Sequence, residues 1–551
     1  MTAAGLLEGL YRGDPDWSLL ELSDLGVNRA KVIDTMQSYR AILKGIPPEE
    51  IERRGHIPAE LLQQMAKIGL FGVTIPEIHG GSELGLREYL SLVGEMVRLD
   101  LSTAMVCLAH LSIGIKAIQL FGNESQKSRY LPPAARGEMV FAFALTEPLI
   151  GSDAQHIQTE AVLSPDGSHY VLNGQKTYIT NANYAQALTV FAQLDRRRPG
   201  FMGAFVVETG WEGVRIGKDM PKMGLKASST AAIQFRKVRV PVENLLGSPG
   251  EGFRIAMTVL NYGRLALAQA STAIMEQSLH DMRHRASSRK QFGVPIGEFP
   301  LIQEKLARAK VNALVSAAMI DLTAKLLERD PLANVAMETS HCKLFATTRA
   351  WEAVYDALQV AGGSGYLTTQ PYEKRMRDFR VTTVFEGTTE IHSMYPALFL
   401  VRKWAAFMQQ SGMSSWKRLL FLLKACIPKR RLCPDYRSAG FPGACRFVRH
   451  SVWAVNRLLA MGFMVYGRKL IEKQFLLRRI TMVSLYAYAV IGLLSAASGA
   501  RGSGSQATTT VDLCRYFLLE AREMLRRARR VFPDQRERLH HRIASWMRRE
   551  V

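Results

Sequence analysis

The sequence predicts a mostly α-helical protein with a central β-barrel-like domain and an extra C-terminal helical domain. Three observations lead there. Apolar residues recur at helical spacing up to about residue 139 and again after Gly247. Between Val140 and about Leu246, short β-prone runs alternate with Gly, Asn, Asp and Pro, the pattern of strands and turns. Charge then divides the chain: residues 401–551 hold 29 Lys/Arg against 8 Asp/Glu, a net +21, whereas the first 400 residues hold 42 against 41. The formal +22 of the whole chain belongs to its last block.

Four domains follow in order. Residues 1–140 are helical, with Leu61, Leu62, Met65, Ile68 and Leu70 at helical spacing, then Leu90, Val93, Met96 and Val97; Pro76 and Gly80-Gly81 break the run. Residues 141–250 form the β domain, with strands expected near 170–172, 188–192, 204–207 and 233–240. Residues 251–400 return to helices, interrupted mainly at 362–365. Residues 401–551 form the basic helical extension, with loops expected at 428–442 and 498–510. The uncharged run 480–500 is long enough to cross a bilayer, but Thr481, Ser484, Ser495 and Ser498 favour a buried bundle helix.

At 551 residues, 47% hydrophobic and 22% charged, the chain is neither disordered nor a polytopic membrane protein. A neutral body with one basic tail disfavours a nucleic-acid binder and favours contact with an anionic surface. Six scattered cysteines without a CxxC pair read as reduced thiols of a cytoplasmic-type compartment. Cys426, Cys433, Cys445 and His450 are too irregularly spaced for a zinc site, so no metal is expected. The N-terminus has early acids and no apolar core, unlike a signal peptide. The expected location is cytoplasmic, peripheral on the inner membrane if the source is bacterial.

Three segments outside the tail carry chemistry. Residues 143–153 (FALTEPLIGSD) and 173–181 (NGQKTYITN) supply backbone donors and the hydroxyls of Thr146, Ser152 and Thr180, suited to a flat heterocycle that Tyr178 covers. Residues 289–293 (RKQFG), continuing to Gln303, offer Arg289 to a pyrophosphate and Phe292 to an adenine. Residues 359–366 (QVAGGSGY), then Asp378, then 385–391 (FEGTTEI) combine close-approach glycines with Glu386. Partial burial beside Phe385 would raise the Glu386 pKa and make it a usable base. Glu390 reads as a solvated or capping carboxylate.

In this order, and joined by KMGLKASST (222–230), VPVENLLG (240–247), Ile75-Pro76, Gly80-Gly81 and Gly122-Asn-Glu124, these segments resemble the acyl-CoA dehydrogenase family over roughly residues 40–400. Residues 299–306 (FPLIQEKL), 473–478 (KQFLLR) and 485–487 (LYA) resemble its very-long-chain branch, which carries a C-terminal helical extension. The resemblance implies FAD-dependent α,β-dehydrogenation of long-chain acyl-CoA thioesters to trans-2-enoyl-CoA, with electrons passed to an electron-transfer flavoprotein. It implies a homodimer on an anionic membrane surface. A scaffold or assembly factor with weak turnover, and an acyl-CoA oxidase, are the alternatives.

By resemblance, Glu386 is the base, and its backbone N–H with a flavin hydroxyl would hold the thioester oxygen. Thr146, Ser152, Tyr178 and Thr180 would touch the flavin. Arg289 and Phe292 would reach FAD of the neighbouring subunit, and Gln359, Gly362, Gly363 and Thr388 would lie near its diphosphate and adenosine. Ser152, Arg264 and Gly387 would serve the substrate, Arg264 either near the acyl-CoA or behind the Glu386 loop. Gly263 occupies the family's alternative base position, so no second base stands there. Leu149-Ile150 and His156 replace small residues and are expected to crowd a loop near the flavin and thioester and so reshape the pocket; Pro300 and Thr369 are further departures. In the tail, residues 416–449 interleave Lys and Arg with Trp416, Leu419, Leu420, Phe421, Leu422, Phe441 and Phe447, the composition of an interfacial segment.

Overall fold

The computed structural model describes residues 5–20, 29–428, 442–499 and 505–548. The front of the chain is helical: α1 (Leu6–Arg12), α2 (Arg29–Gly45), α3 (Pro48–Arg54), α4 (Ala59–Lys67), α5 (Leu86–Leu99), α6 (Leu101–Leu108), α7 (Lys116–Phe121) and α8 (Glu124–Ala135). Asp100 separates α5 from α6 because its carboxylate caps the new helix, accepting from the Thr103 N–H at 2.8 Å. A π-helical turn, Ala109–Gly114, joins α6 to α7 and presents buried His110. Burial pushes that imidazole down to about 4, so it is neutral. Its Nε2 donates to the Phe71 carbonyl at 3.1 Å, and its Nδ1 accepts from the Phe141 N–H at 3.0 Å. His110 thereby fixes the first strand against the helical front.

That strand, β1 (Phe141–Ala144), begins one sheet with β2 (Glu160–Leu163), β3 (His169–Thr180), β4 (Ala187–Gln193), β5 (Met202–Glu208), β6 (Val214–Ile216), β7 (Thr230–Pro241) and β8 (Leu245–Gly250). The spatial order is β6-β7-β3-β2-β4-β5-β8, with β1 parallel to β4. All seven positions of β4 are buried, which explains its near-continuous apolar sequence. At Gly174 the register between β3 and β7 shifts. A Cβ there would lie 2.5 Å from Thr159 Oγ1, so only glycine lets β3 pass.

The chain then forms α9 (Gly252–Ser288), a two-stranded ribbon of β9 (Lys290–Gln291) and β10 (Val294–Pro295), α10 (Pro300–Arg329), α11 (Ala336–Ala361), α12 (Pro371–Phe379), α13 (Thr389–His392) and α14 (Tyr395–Gln410). Long helices α9, α10 and α11 pack on one another. Pro300 takes the first turn of α10, where its missing N–H costs nothing. The extension follows as α15 (Ser415–Ala425), α16 (Pro442–Tyr466), α17 (Gln474–Gly499), α18 (Ser505–Ala528) and α19 (Gln535–Met547).

The uncharged run lies in α17, and most of that helix is buried in the fold, as is the second apolar stretch of spanning length, Leu101–Phe121. Ile480, Tyr488 and Ile491 share one hydrophobic core with Leu322 and Leu344 of the bundle. A Cβ on Gly492 would lie 3.1 Å from the backbone of Ala318, so α17 and α10 pack at backbone distance. The Thr323 and Tyr488 hydroxyls meet at 2.6 Å. The extension is therefore continuous with the body, and cutting the chain near residue 400 would expose the shared core.

Two expectations for the extension need correction. The loop expected at 498–510 is largely helix, because α17 reaches Gly499 and α18 starts at Ser505; the amphipathic sequence of α18 outweighs the weak propensity of its Thr-rich start. Phe447 and Leu422, counted with the interfacial residues, are buried in the core. Trp416, Leu419, Leu420 and Leu423 do stand exposed on α15. Residues 429–441, with Cys433 and Phe441, lie outside the described residues.

Candidate active site

Two motifs separated in sequence are joined by a buried ion pair. Lys176 Nζ lies 2.8 Å from Glu147 Oε1 and also donates to the Leu145 carbonyl at 3.0 Å. Glu147 further accepts from the backbone N–H groups of Gln158 and Thr159. Burial pushes the Glu147 carboxyl upward, but Lys176 and these donors outweigh it and hold it below its ordinary value. The pair is flanked by Thr146 on one side and Tyr178 on the other, and the Thr177 N–H donates to the Thr146 carbonyl at 2.9 Å. The sequence-adjacent functional side chains are thus brought to one wall.

That wall borders a cavity of about 740 Å³. Thr146 and Ser152 line it from the segment after β1, Tyr178 and Thr180 from β3, and Glu386, Gly387 and Thr388 line it from the bundle side. The 222–230 segment closes it between them. This segment is held by Asp378, whose Oδ1 accepts from the Leu225 N–H at 2.6 Å while Oδ2 pairs with Lys374. A Cβ on Gly224 would lie 2.3 Å from the Arg377 backbone, so the segment rests directly on α12.

Glu386 is the chemically unusual group. Its backbone is left-handed, at φ 58°, and the following Gly387 has φ 97°. Its Oε2 is shut off from solvent and has no hydrogen-bond partner among the described residues. Burial raises the carboxyl to about 7, against the opposing pull of Arg264 and then Lys343. A Cβ on Gly263 would meet Oε2 at 3.1 Å, so the missing side chain of Gly263 makes the space the carboxylate occupies.

Three donors hold the strained turn. His392 Nε2 donates to the Glu386 carbonyl at 2.9 Å, Arg264 Nε donates to the same oxygen at 3.4 Å, and Lys343 Nζ donates to the Gly387 carbonyl at 2.6 Å. A carbonyl only accepts, so the His392 proton sits on Nε2 and Nδ1 receives the Ser340 hydroxyl at 2.7 Å. Burial, then the charges of Arg264 and Lys343, push His392 far below its ordinary pKa and keep it neutral. Burial also pulls Lys343 down to about 7. The structure places Arg264 behind the Glu386 loop, anchored by Asn261 Oδ1 at 3.4 Å.

Sequence reasoning missed Lys343, His392, Ser340 and Asn261. Lys343, Ser340 and Asn261 come from α9 and α11, and nothing local marks residues that act on another segment's carbonyls. Leu149 is 84% exposed and does not crowd the cavity: Glu147 and Ile150 close a tight turn that throws it outward. Ile150 packs on the apolar cluster beneath the sheet, and exposed His156 pairs with Asp153 at 2.8 Å. Thr388, grouped from sequence with Gln359, Gly362 and Gly363, lines the Glu386 cavity and caps α13. Gln359, Gly362, Gly363, Arg289 and Phe292 do not border that cavity. Phe292 is 94% exposed at the tip of the β9–β10 ribbon.

The chain matches three successive family domains: acyl-CoA dehydrogenase N-terminal domain over residues 38–138, middle domain over 142–238 and C-terminal domain over 250–397. It belongs to the acyl-CoA dehydrogenase family. The ACAD9/ACADV C-terminal domain matches residues 444–545 of the extension. The human mitochondrial very long-chain specific acyl-CoA dehydrogenase is 40% identical over 342 residues, covering 61% of this chain and 52% of that protein. The chain thus spans about half the length of the curated very-long-chain relatives it matches. An acyl-CoA dehydrogenase of Bacillus subtilis is 37% identical over 355 residues, 64% of this chain and 92% of the relative. The structure of an acyl-CoA dehydrogenase from Bacillus anthracis, complexed with FAD, superposes with a TM-score of 0.80 at 27% identity, over 95% of this chain and 94% of that one.

The acyl-CoA dehydrogenase cavity fits a flavin by its own chemistry. Three hydroxyls and an exposed tyrosine ring make one wall, and an orphaned carboxylate with an elevated pKa makes the other. Its volume lies in the range of cofactor and ligand pockets, about 300–1,000 Å³.

Proposed function

We propose that this protein catalyses FAD-dependent α,β-dehydrogenation of long-chain acyl-CoA thioesters to trans-2-enoyl-CoA and passes electrons to an electron-transfer flavoprotein. The observation that carries this reading is the Glu386 carboxylate, buried, unpartnered at Oε2 and facing a hydroxyl-lined cavity. Glu386 removes the α-proton of the thioester. Thr146, Ser152, Tyr178 and Thr180 would hold FAD, which when bound would supply the acceptor for the β-hydride. An α-C–H is far too weak an acid for an ordinary carboxylate, so desolvation that lifts the Glu386 pKa to about 7 is part of the catalytic power. Lys343, Arg264 and His392 hold the Glu386–Gly387 turn, keeping the backbone N–H of Glu386 aimed at the thioester oxygen.

Graded chain length tests the substrate class. Anaerobic addition of C4 to C20 acyl-CoA thioesters to the purified flavoprotein is expected to bleach the flavin fastest with long chains; a maximum at C4 would overturn the long-chain reading. Lys343→Met removes a cation that lowers the Glu386 pKa. The acid limb of its kcat/KM profile is therefore expected to move up by about one pH unit.

Arg289, Phe292, Gln359, Gly362 and Gly363 are assigned to FAD of a neighbouring subunit in a homodimer, a reading supported by the bare Phe292 tip. The exposed Trp416, Leu419, Leu420 and Leu423 beside Lys417, Arg418 and Lys424 support peripheral attachment to an anionic membrane through α15. Trp416→Glu with Leu420→Glu is expected to lower binding to phosphatidylglycerol vesicles at least about tenfold, with flavin content unchanged, as read by vesicle sedimentation. Undiminished sedimentation would remove α15 as the anchor.

A further inference from the structure

A second cavity, of about 540 Å³, lies where α1, α14, α15 and α16 converge. It shares no lining residue with the Glu386 cavity. Its apolar walls are Leu400, Trp404, Phe407 and Phe421. The Trp404 and Phe421 rings meet edge-on at 65°, and the Phe407 and Phe421 rings are tilted by 46°. Rings at such angles make no parallel slot for a flat heterocycle; they surround a flexible methylene chain.

The polar lining is sparse and cationic. Arg12, Lys403 and Lys424 face it against one carboxylate, Glu8. Glu8 pairs with Arg12 at 2.6 Å and with Lys403 at 3.1 Å, so the four groups carry an excess of two positive charges. Asn456 also lines the cavity, is buried, and its amide oxygen has no hydrogen-bond partner among the described residues. A buried orphan amide in a ligand-sized cavity calls for a polar group to meet it. A headgroup hydroxyl does so, and with the amide's two atoms exchanged a carboxylate oxygen does so too.

We propose that this junction cavity is a second ligand site, for an anionic amphiphile: one acyl chain among Trp404, Phe407 and Phe421, with its headgroup on Lys424, Lys403, Arg12 and Asn456. A fatty-acid carboxylate and the phosphate headgroup of a membrane lipid share this chemistry. The bound chain would bridge α14 of the catalytic bundle to α15 and α16 of the extension. The proposal stands apart from the reading of the Glu386 cavity.

Photolabelling the full-length flavoprotein tests it. Two probes carry the same diazirine-tipped acyl chain: palmitate below its micellar concentration, and phosphatidylglycerol in vesicles. Adducts are expected on the peptides carrying Trp404, Phe407 and Phe421. Lys403→Met, a change outside the α15 anchor, is expected to cut that labelling about tenfold, the worth of one charge-assisted hydrogen bond, with flavin content and labelling near Glu386 unchanged. Adducts from palmitate alone name a free fatty acid as occupant; adducts from vesicles name a bilayer lipid. Labelling confined to the Glu386 cavity, or labelling of the junction that ignores Lys403→Met, would overturn the proposal.

Discussion

Glu386→Gln is expected to lower turnover of acyl-CoA thioesters by about 10²–10⁴-fold, the contribution of a positioned general base. Flavin content and thioester binding should survive, since glutamine keeps the size of the side chain and the backbone N–H. The variant should also change stability in a pH-dependent way. The carboxyl sits at 4.5 ordinarily and at about 7 when buried here, so folding favours its protonated form. That contribution is complete below pH 4.5 and is lost as pH rises through about 7. Thermal unfolding of Glu386→Gln should therefore gain on the parent protein across that window and run parallel to it above. A parent protein whose advantage grows with pH would contradict the burial argument.

The second large effect is expected at Lys176→Met. Removing Lys176 leaves Glu147 in a core site with its backbone donors but no counter-charge. Breaking one side of a buried pair costs about 3–5 kcal/mol. Denaturant unfolding should show that loss, and flavin retention should fall with it, because the pair holds the Thr146 and Tyr178 segments together. Glu147→Gln in the same chain should restore part of the stability, since the uncompensated charge is then gone. A Lys176→Met protein with unaltered stability and full flavin would show that the pair is dispensable.

Much of the site is legible in the sequence because its motifs are local. FEGT places Glu386, Gly387 and Thr388 within three positions, and the turn they make needs nothing distant to be recognised. The 143–153 and 173–181 stretches are legible for the same reason. The residues that tune Glu386 are not. Lys343 and Ser340 lie more than forty positions upstream on α11, in an ordinary amphipathic helix. Only the fold reveals that they face the Glu386 turn. Leu149 shows the converse: its bulk is visible in the sequence, but the Glu147–Ile150 turn that points it outward is not.

The extension divides in the same way. Its charge and its uncharged helix could be read directly, and α17 is the buried bundle helix that its polar residues favour. Which aromatics face solvent could not, because Phe447 and Trp416 occur in similar basic surroundings and only packing separates them. Buried contacts also tie the extension to α11, which braces the Glu386 turn. On α11, His341 meets the Ser484 hydroxyl of α17 at 2.9 Å, one residue from Ser340, which braces His392. Arg349, further along α11, bonds Tyr486 at 2.8 Å and pairs with Glu520.

The central claim is that Glu386 takes the α-proton of an acyl thioester in this cavity. Proton exchange tests it without any electron acceptor. An acyl-CoA analogue with sulfur at C3 has no β-hydrogen to give, so its α-protons can only exchange with solvent. Incubated in D₂O with the flavoprotein and followed by proton NMR, the analogue should lose its α-proton signals, with an acid limb near pH 7, and should keep them with Glu386→Gln. Exchange that persists in Glu386→Gln at the parent rate would contradict the assignment of the base.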